Sequence, residues 1–85
     1  MSKLIPAADR ITRARKLIQQ AREVPVPAEG GRGDFSYIAQ VKDLLRQARD
    51  MVKFIPQSVS TTDEMRQDVK KIYEEADQAN QEILH

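Results

Sequence analysis

The 85-residue chain is 40% hydrophobic, 32% charged and 5% aromatic, a composition typical of one small globular domain with a single core. Fourteen Lys and Arg residues against thirteen Asp and Glu residues leave a net charge of +1, so the whole molecule has no field that favours nucleic acid or an anionic membrane. Cysteine is absent, which excludes disulfides, a thiolate nucleophile and Cys-ligated zinc, and favours an intracellular address. The apolar runs are short, so we expect no membrane span and no export signal.

Proline and glycine divide the sequence into three helical segments, joined by residues 24–33 and 56–60. Within each segment, apolar residues recur at steps of three and four, the spacing that keeps them on one helical face. The pattern predicts helices at about residues 4–24, 34–55 and 61–84, in an all-α antiparallel three-helix bundle formed by residues 1–85. The repeating positions are Leu4, Ala7, Ile11, Ala14, Ile18 and Ala21, then Ile38, Val41, Leu45, Ala48, Val52 and Ile55, then Met65, Val69, Ile72, Ala76, Ala79 and Ile83.

Several residues mark the ends of these segments. Pro6 suits a first helical position, because its missing N–H would have no intrahelical partner there. Asp34 is placed to cap the second helix. Thr61, followed three residues later by Glu64, has the spacing of a capping box and predicts the start of the third helix. The glycine-rich residues 30–33 have the composition of a flexible linker.

Charge is distributed unevenly along the chain. Residues 2–24 carry six cations and two anions, a net charge of +4, whereas residues 60–85 carry three cations and seven anions, a net charge of −4. This asymmetry predicts that the first and third helices attract each other. Residues 17–24 and 44–51 are also identical at four of eight positions, which indicates either a duplicated helical unit or two helices that follow the same heptad.

The sequence offers no set of residues for catalysis. The single histidine is His85, the last residue, where no rigid triad or ligand cluster is expected. Carboxylates such as Glu64 and Asp68 recur at helical spacing, but they lie beside the apolar stripe, as on the solvated face of an amphipathic helix. We therefore expect a protein that is not an enzyme and that uses neither a metal nor a cofactor.

Some large apolar side chains lie beside the apolar stripes rather than on them. Two interpretations remain open: a core with a broad apolar face, or a groove that holds an amphipathic partner helix. The cations of the first segment favour an acidic partner or the third helix, and without an aromatic platform nucleic acid is disfavoured. The off-stripe residues are Leu17, Tyr37, Leu44, Met51, Phe54 and Tyr73, and the cations are Arg10, Arg13, Arg15, Lys16 and Arg22.

Four short segments follow one another across about residues 11–84: Lys16-Leu17-Ile18-Gln19-Gln20, Leu44-Leu45-Arg46-Gln47-Ala48-Arg49, Asp63-Glu64-Met65 and Lys71-Ile72-Tyr73. In this order the sequence resembles the KIX domain of transcriptional coactivators and Mediator tail subunits, a three-helix bundle that binds amphipathic helices of activation domains. The resemblance implies that Tyr73 lies in a groove between the first and last helices, with Leu17 across it and Lys70 and Lys71 nearby. A nuclear address is then favoured over a cytoplasmic one. Unlike that family, the chain has no tryptophan and has a longer, glycine-rich first connection.

The predicted function is accordingly a protein-interaction module whose partner is an acidic amphipathic helix, most simply from an activation domain. The predicted partner-binding residues are Leu17, Tyr37, Leu44, Met51, Lys70, Lys71 and Tyr73. Two alternatives stay open. Gly33-Asp34-Phe35 and the alanine-containing stripes are similar to microtubule-interacting and transport domains, which implies a trafficking adaptor. Alanine-rich heptads also suit a homodimer.

Overall fold

Three helices account for most of the chain in the computed structural model, which describes residues 6–84. They are α1 (Ala7–Glu23), α2 (Phe35–Val52) and α3 (Asp63–Leu84), and short 3₁₀ turns at Gly31–Gly33 and Ile55–Gln57 lie in the two connections. Residues 6–84 contain no strand. The predicted all-α, three-helix fold is therefore confirmed, with helices slightly shorter than the sequence pattern predicts. Leu4, the first predicted stripe residue, lies outside the described residues.

Each helix buries one apolar stripe, and the stripes meet in one core. Alanine occupies five of the buried positions and has no exposed area at any of them, so the helix axes can approach closely. The buried residues are Ile11, Ala14, Ile18 and Ala21 of α1, Tyr37, Val41, Leu45, Ala48 and Val52 of α2, Ile55 beyond it, and Val69, Ile72, Ala76, Ala79 and Ile83 of α3.

The buried stripe of α2 begins at Tyr37 and not at Ile38, where the sequence pattern predicts it. Tyr37 is only 5% exposed, whereas Ile38 is half-buried. Steps of four from Tyr37 to Val41 and from Val41 to Leu45 keep the tyrosine on the core face. Burying the aromatic ring removes more apolar area from water than burying isoleucine would. Tyr37 is thus a core residue, and the prediction that it lies on a partner-binding surface is not supported by its position.

The contacts between α1 and α2 are consistent with the antiparallel order that the sequence predicts. Ala7, the first residue of α1, lines the same pocket as Ile55, which follows the end of α2. Further along α1, Leu17 lies beside Met51, which comes earlier in the chain than Ile55. Later positions of α1 therefore lie beside earlier positions of the second segment, as in an antiparallel pair of helices.

Ion pairs attach α3 to both of the other helices. The two pairs between α1 and α3 confirm the predicted attraction between the cationic first segment and the anionic third segment. Because all six side chains are substantially exposed, packing contributes more to stability than these pairs do. The pairs are Arg15 with Asp68 at 3.4 Å, Arg22 with Glu82 at 2.6 Å and Arg49 with Asp77 at 3.0 Å.

The first connection ends in an ordered turn and not in the flexible linker that its composition predicts. Gly30 and Gly31 adopt positive φ angles of 82° and 53°, which side chains with a Cβ rarely adopt. The Gly33 amide donates to the Gly30 carbonyl at 3.1 Å, which closes the 3₁₀ turn. Asp34 then caps α2 as predicted, because its carboxylate accepts a hydrogen bond from the Tyr37 amide at 2.9 Å.

At the other two helix starts, the residue that the sequence singles out has a different role in the structure. Pro6 is the N-cap of α1 and not its first helical residue, and its carbonyl accepts from the Arg10 amide at 3.0 Å. At α3 the capping residue is Thr62, whose hydroxyl accepts from the Met65 amide at 3.2 Å. Thr61 is buried, and its hydroxyl donates instead to the Ile55 carbonyl. The predicted capping box at Thr61 is therefore wrong, because that hydroxyl satisfies a carbonyl of the connection.

Among residues 6–84, no helix combines the length and the apolar character that crossing a bilayer requires.

Candidate partner-binding groove

A shallow groove of about 250 Å³ runs between α1 and α2 on the outside of the bundle. We call it the α1–α2 groove. Leu17 and Met51 are both half-buried and supply its apolar surface. Its remaining lining is polar or charged: Arg13, Lys16 and Gln20 from α1, and Gln47 from α2.

The two cations of the α1–α2 groove have no carboxylate partner within residues 6–84. Arg13 and Lys16 are exposed, and neither forms an ion pair with another residue of the range 6–84. By contrast, the α1 residues Arg15 and Arg22, which face α3, are both paired. Positive charge on α1 is thus neutralised on the α3 side and left available on the α2 side, beside the apolar surface.

The short repeat between residues 17–24 and 44–51 places corresponding residues of α1 and α2 in similar surroundings. Its four shared residue types occupy equivalent positions on α1 and α2: the leucine is half-buried beside the core, the glutamine lines the groove, the alanine is fully buried, and the arginine pairs with α3. The pairs of positions are Leu17 and Leu44, Gln20 and Gln47, Ala21 and Ala48, and Arg22 and Arg49. The repeat therefore places an equivalent glutamine on each side of the groove.

The predicted site residues fall into separate places. Leu17 and Met51 line the α1–α2 groove, and Leu44 is half-buried seven residues, or about two helical turns, before Met51. Tyr73 is half-buried on α3, one turn before Asp77, whose carboxylate pairs with Arg49 of α2. Since residues four apart share a helix face, Tyr73 lies on the α2 side of α3.

The remaining predicted cations, Lys70 and Lys71, are exposed on α3 and do not line the α1–α2 groove. The structure thus brings Leu17 together with Met51, and does not place it across a groove from Tyr73. Sequence reasoning missed Gln20 and Gln47 as groove residues. The signal that could have found them was the repeat itself, in which both glutamines precede a stripe alanine by one position.

The ion pair between Arg22 and Glu82 also lowers the pKa of the Glu82 carboxyl group. The Arg22 guanidinium donates to Glu82 at 2.6 Å, Gln78 donates to the same carboxylate at 2.9 Å, and both hydrogen bonds lower the pKa of Glu82 below its usual range. Because the pKa of Glu82 is lower in the folded state than in the unfolded state, the ionised carboxylate stabilises the fold. This stabilisation is complete above the unfolded-state pKa and is lost as the pH falls through the folded-state pKa.

Replacing Arg22 with glutamine is expected to raise the pKa of Glu82 towards its usual value, because the strongest donor to the carboxylate loses its charge. A pH titration of the Glu82 side-chain carboxyl carbon by NMR measures the shift. Arg66→Gln is the matched control, since Arg66 pairs with Asp63 at the other end of α3. A pKa of Glu82 that is the same in Arg22→Gln and in the unmodified chain would contradict the assignment.

Comparison of the chain with protein-family models, with curated proteins and with solved structures finds no match.

Proposed function

We propose that this chain is a non-enzymatic protein-interaction module that holds an acidic amphipathic helix of a partner protein in the α1–α2 groove. The observation that carries the proposal is the combination, in one groove, of the apolar side chains of Leu17 and Met51 with two cations, Arg13 and Lys16, that form no ion pair within the described part of the chain. An amphipathic helix offers the complementary arrangement, because it presents an apolar stripe bordered by charged positions. The resemblance to KIX domains favours an activation domain as the partner and the nucleus as the location.

Each kind of side chain has a separate role in this proposal. The apolar contact supplies affinity, since burying Leu17 and Met51 under a partner helix removes their remaining exposed surface from water. The cations select partners with carboxylates beside the apolar stripe and raise the rate of encounter. Gln20 and Gln47 can donate and accept hydrogen bonds at the groove margin.

An amide NMR titration tests the proposal, once sedimentation has shown that the free chain is monomeric. The probe is a synthetic acidic amphipathic helical peptide, and a scrambled peptide of the same composition is the control. We expect saturable shifts at the amides of Leu17, Gln20, Gln47 and Met51 with the amphipathic peptide alone. No shift at high peptide excess would contradict the module itself.

Three other outcomes would change the proposal. Shifts that cluster at Lys70, Lys71 and Tyr73 would move the site to α3, where the KIX resemblance places those residues. Groove shifts that depend on protein concentration without any peptide would show that a second copy of the chain occupies the groove. Equal binding of a neutral amphipathic helix would contradict the selection of acidic partners and favour an adaptor with a different motif.

A further inference from the structure

A second cavity, of about 410 Å³, lies where α1 begins and where α2 gives way to α3. We call it the bundle-end pocket. Ala7, Phe54, Ile55 and Met65 give it an apolar lining, and Arg10 adds one cation that forms no ion pair within residues 6–84. Hydroxyl groups of the second connection complete the lining. The pocket is thus larger than the α1–α2 groove.

The bundle-end pocket and the α1–α2 groove follow one another along α1, and we call the two together the trough. On α1, Arg10 lines the pocket, while Arg13, Leu17 and Gln20 line the groove, in steps of three, four and three. This spacing keeps all four residues on one side of the helix. The trough therefore follows α1 from Arg10 to Gln20, a length of about 15 Å at the helical rise of about 1.5 Å per residue.

The facing side of the trough follows the same rule. Gln47 and Met51 line the α1–α2 groove and Phe54 lines the bundle-end pocket, in steps of four and three. Phe54 is 59% exposed, which is unusual for a large aromatic side chain. The Lys53 ammonium lies 5.1 Å from the centre of the Phe54 ring and covers part of one face. The remaining exposed ring area lies at the end of the proposed binding surface.

Hydrogen bonds within the second connection hold the wall of the pocket in place. Thr61 is buried and donates its hydroxyl hydrogen bond to the Ile55 carbonyl, and its amide donates to the Ser58 carbonyl at 3.2 Å. The Ser58 amide donates to the Ile55 carbonyl at 3.1 Å, and the Ser58 and Ser60 hydroxyls are 3.0 Å apart. A wall held in this way requires little ordering when a ligand enters.

We infer that the bundle-end pocket receives a large apolar anchor residue at one end of the same acidic partner helix, with a neighbouring carboxylate of that helix paired to Arg10. The inference rests on the proposed function and adds the length and polarity of the partner. The partner helix spans about three to four turns. Its acidic residues face Arg10, Arg13 and Lys16, which follow one another along the trough at steps of three.

The chain carries a separate probe for each part of the trough. Of its three methionines, Met51 lines the α1–α2 groove and Met65 lines the bundle-end pocket. Carbon-13 labelling of the methionine methyl groups therefore reports the two sites independently. The ligands are acidic amphipathic peptides of about four turns that end in phenylalanine or in alanine, with the variable residue at either end. We expect both methyl signals to shift with one phenylalanine-ended peptide, and only the Met51 signal to shift with its alanine-ended counterpart.

A pair of phenylalanine variants quantifies the anchor. Phe54→Ala is expected to weaken binding of the phenylalanine-ended peptide about fivefold to tenfold, and to leave binding of the alanine-ended peptide unchanged, as measured by fluorescence anisotropy. Phe35→Ala is the matched control, because Phe35 is 88% exposed at the opposite end of α2. Circular dichroism verifies that both variants remain folded.

Failure of the inference and failure of the proposed function give different results. If the Met51 signal shifts while the Met65 signal stays still with every peptide, the anchor site is wrong and the groove stands. If neither methyl signal shifts, both are overturned. Equal weakening by Phe54→Ala and Phe35→Ala would also overturn the anchor site, because the effect would not be specific to the pocket.

Discussion

Replacing Leu45 with alanine is expected to lower the free energy of unfolding by about 2–5 kcal/mol, the usual cost of truncating a fully buried leucine. Leu45 is 1% exposed and lies in the middle of the buried stripe of α2. Truncation removes apolar contact and leaves a cavity that three packed helices can close only in part. A chain of this size has a total stability of about 4–13 kcal/mol, so the variant loses a large part of it.

The preceding residue provides the control. Leu44→Ala removes the same atoms from the same helix, but Leu44 is only half-buried beside the core. Its surroundings include solvent, so the transfer loss is smaller and water can fill the vacated space. Urea unfolding followed by circular dichroism measures both variants. Equal losses from Leu44→Ala and Leu45→Ala would contradict the assigned burial of the stripe.

The three-helix fold could be predicted because its main determinant is periodic. Apolar residues at steps of three and four define a helix face wherever they occur, and proline and glycine define where the faces stop. The fully buried alanines Ala21, Ala48 and Ala76 all lie on the predicted stripes. The charge asymmetry along the chain likewise predicted that α1 and α3 attract each other. It did not predict which residues form the ion pairs, such as Arg22 with Glu82.

The predicted first buried residue of α2 and the predicted N-cap of α3 are each wrong by one position, because two neighbouring residues suit the same role. Tyr37 and Ile38 are both apolar, and a stripe can start at either without breaking the helical period. Thr61 and Thr62 are both good N-cap residues, and the choice depends on a distant group. The Thr61 hydroxyl donates to the Ile55 carbonyl, so Thr62 is the residue that caps α3. Local propensity cannot decide such cases, because the deciding contact comes from the packed connection.

The composition of the groove could be anticipated more readily than its location. The helical period shows that Leu17 lies beside the stripe of α1, but not which neighbouring helix stands on that side. That depends on whether the third helix packs to the left or to the right of the first two, and both arrangements bury the same stripes. In the structure the Leu17 side of α1 faces Met51 of α2, and the arginines on the other side face α3.

Reversing both charges of the groove, in the double variant Arg13→Glu and Lys16→Glu, is expected to weaken binding of an acidic amphipathic helix about tenfold to a hundredfold at low salt. Each exposed ion pair contributes about 0.2–1 kcal/mol, and each reversal replaces that attraction with a comparable repulsion. Two reversals therefore cost about 0.8–4 kcal/mol. The middle of that range, about 1.4–2.8 kcal/mol, corresponds to a tenfold to hundredfold loss of affinity. Both side chains are exposed and unpaired within residues 6–84, so the fold should be unaffected.

The double variant Lys42→Glu and Lys70→Glu separates a groove effect from an effect of total charge. Both of its lysines are exposed outside the groove, on α2 and α3, and the two double variants change the net charge equally. Isothermal titration at several salt concentrations measures the affinities. The difference between the variants should shrink as salt rises, because screening shortens the range of the interaction to about 10 Å at 0.1 M. Equal weakening by both double variants would mean that Arg13 and Lys16 do not recognise the acidic helix, and that the helix responds either to the overall charge or to Lys70 on α3.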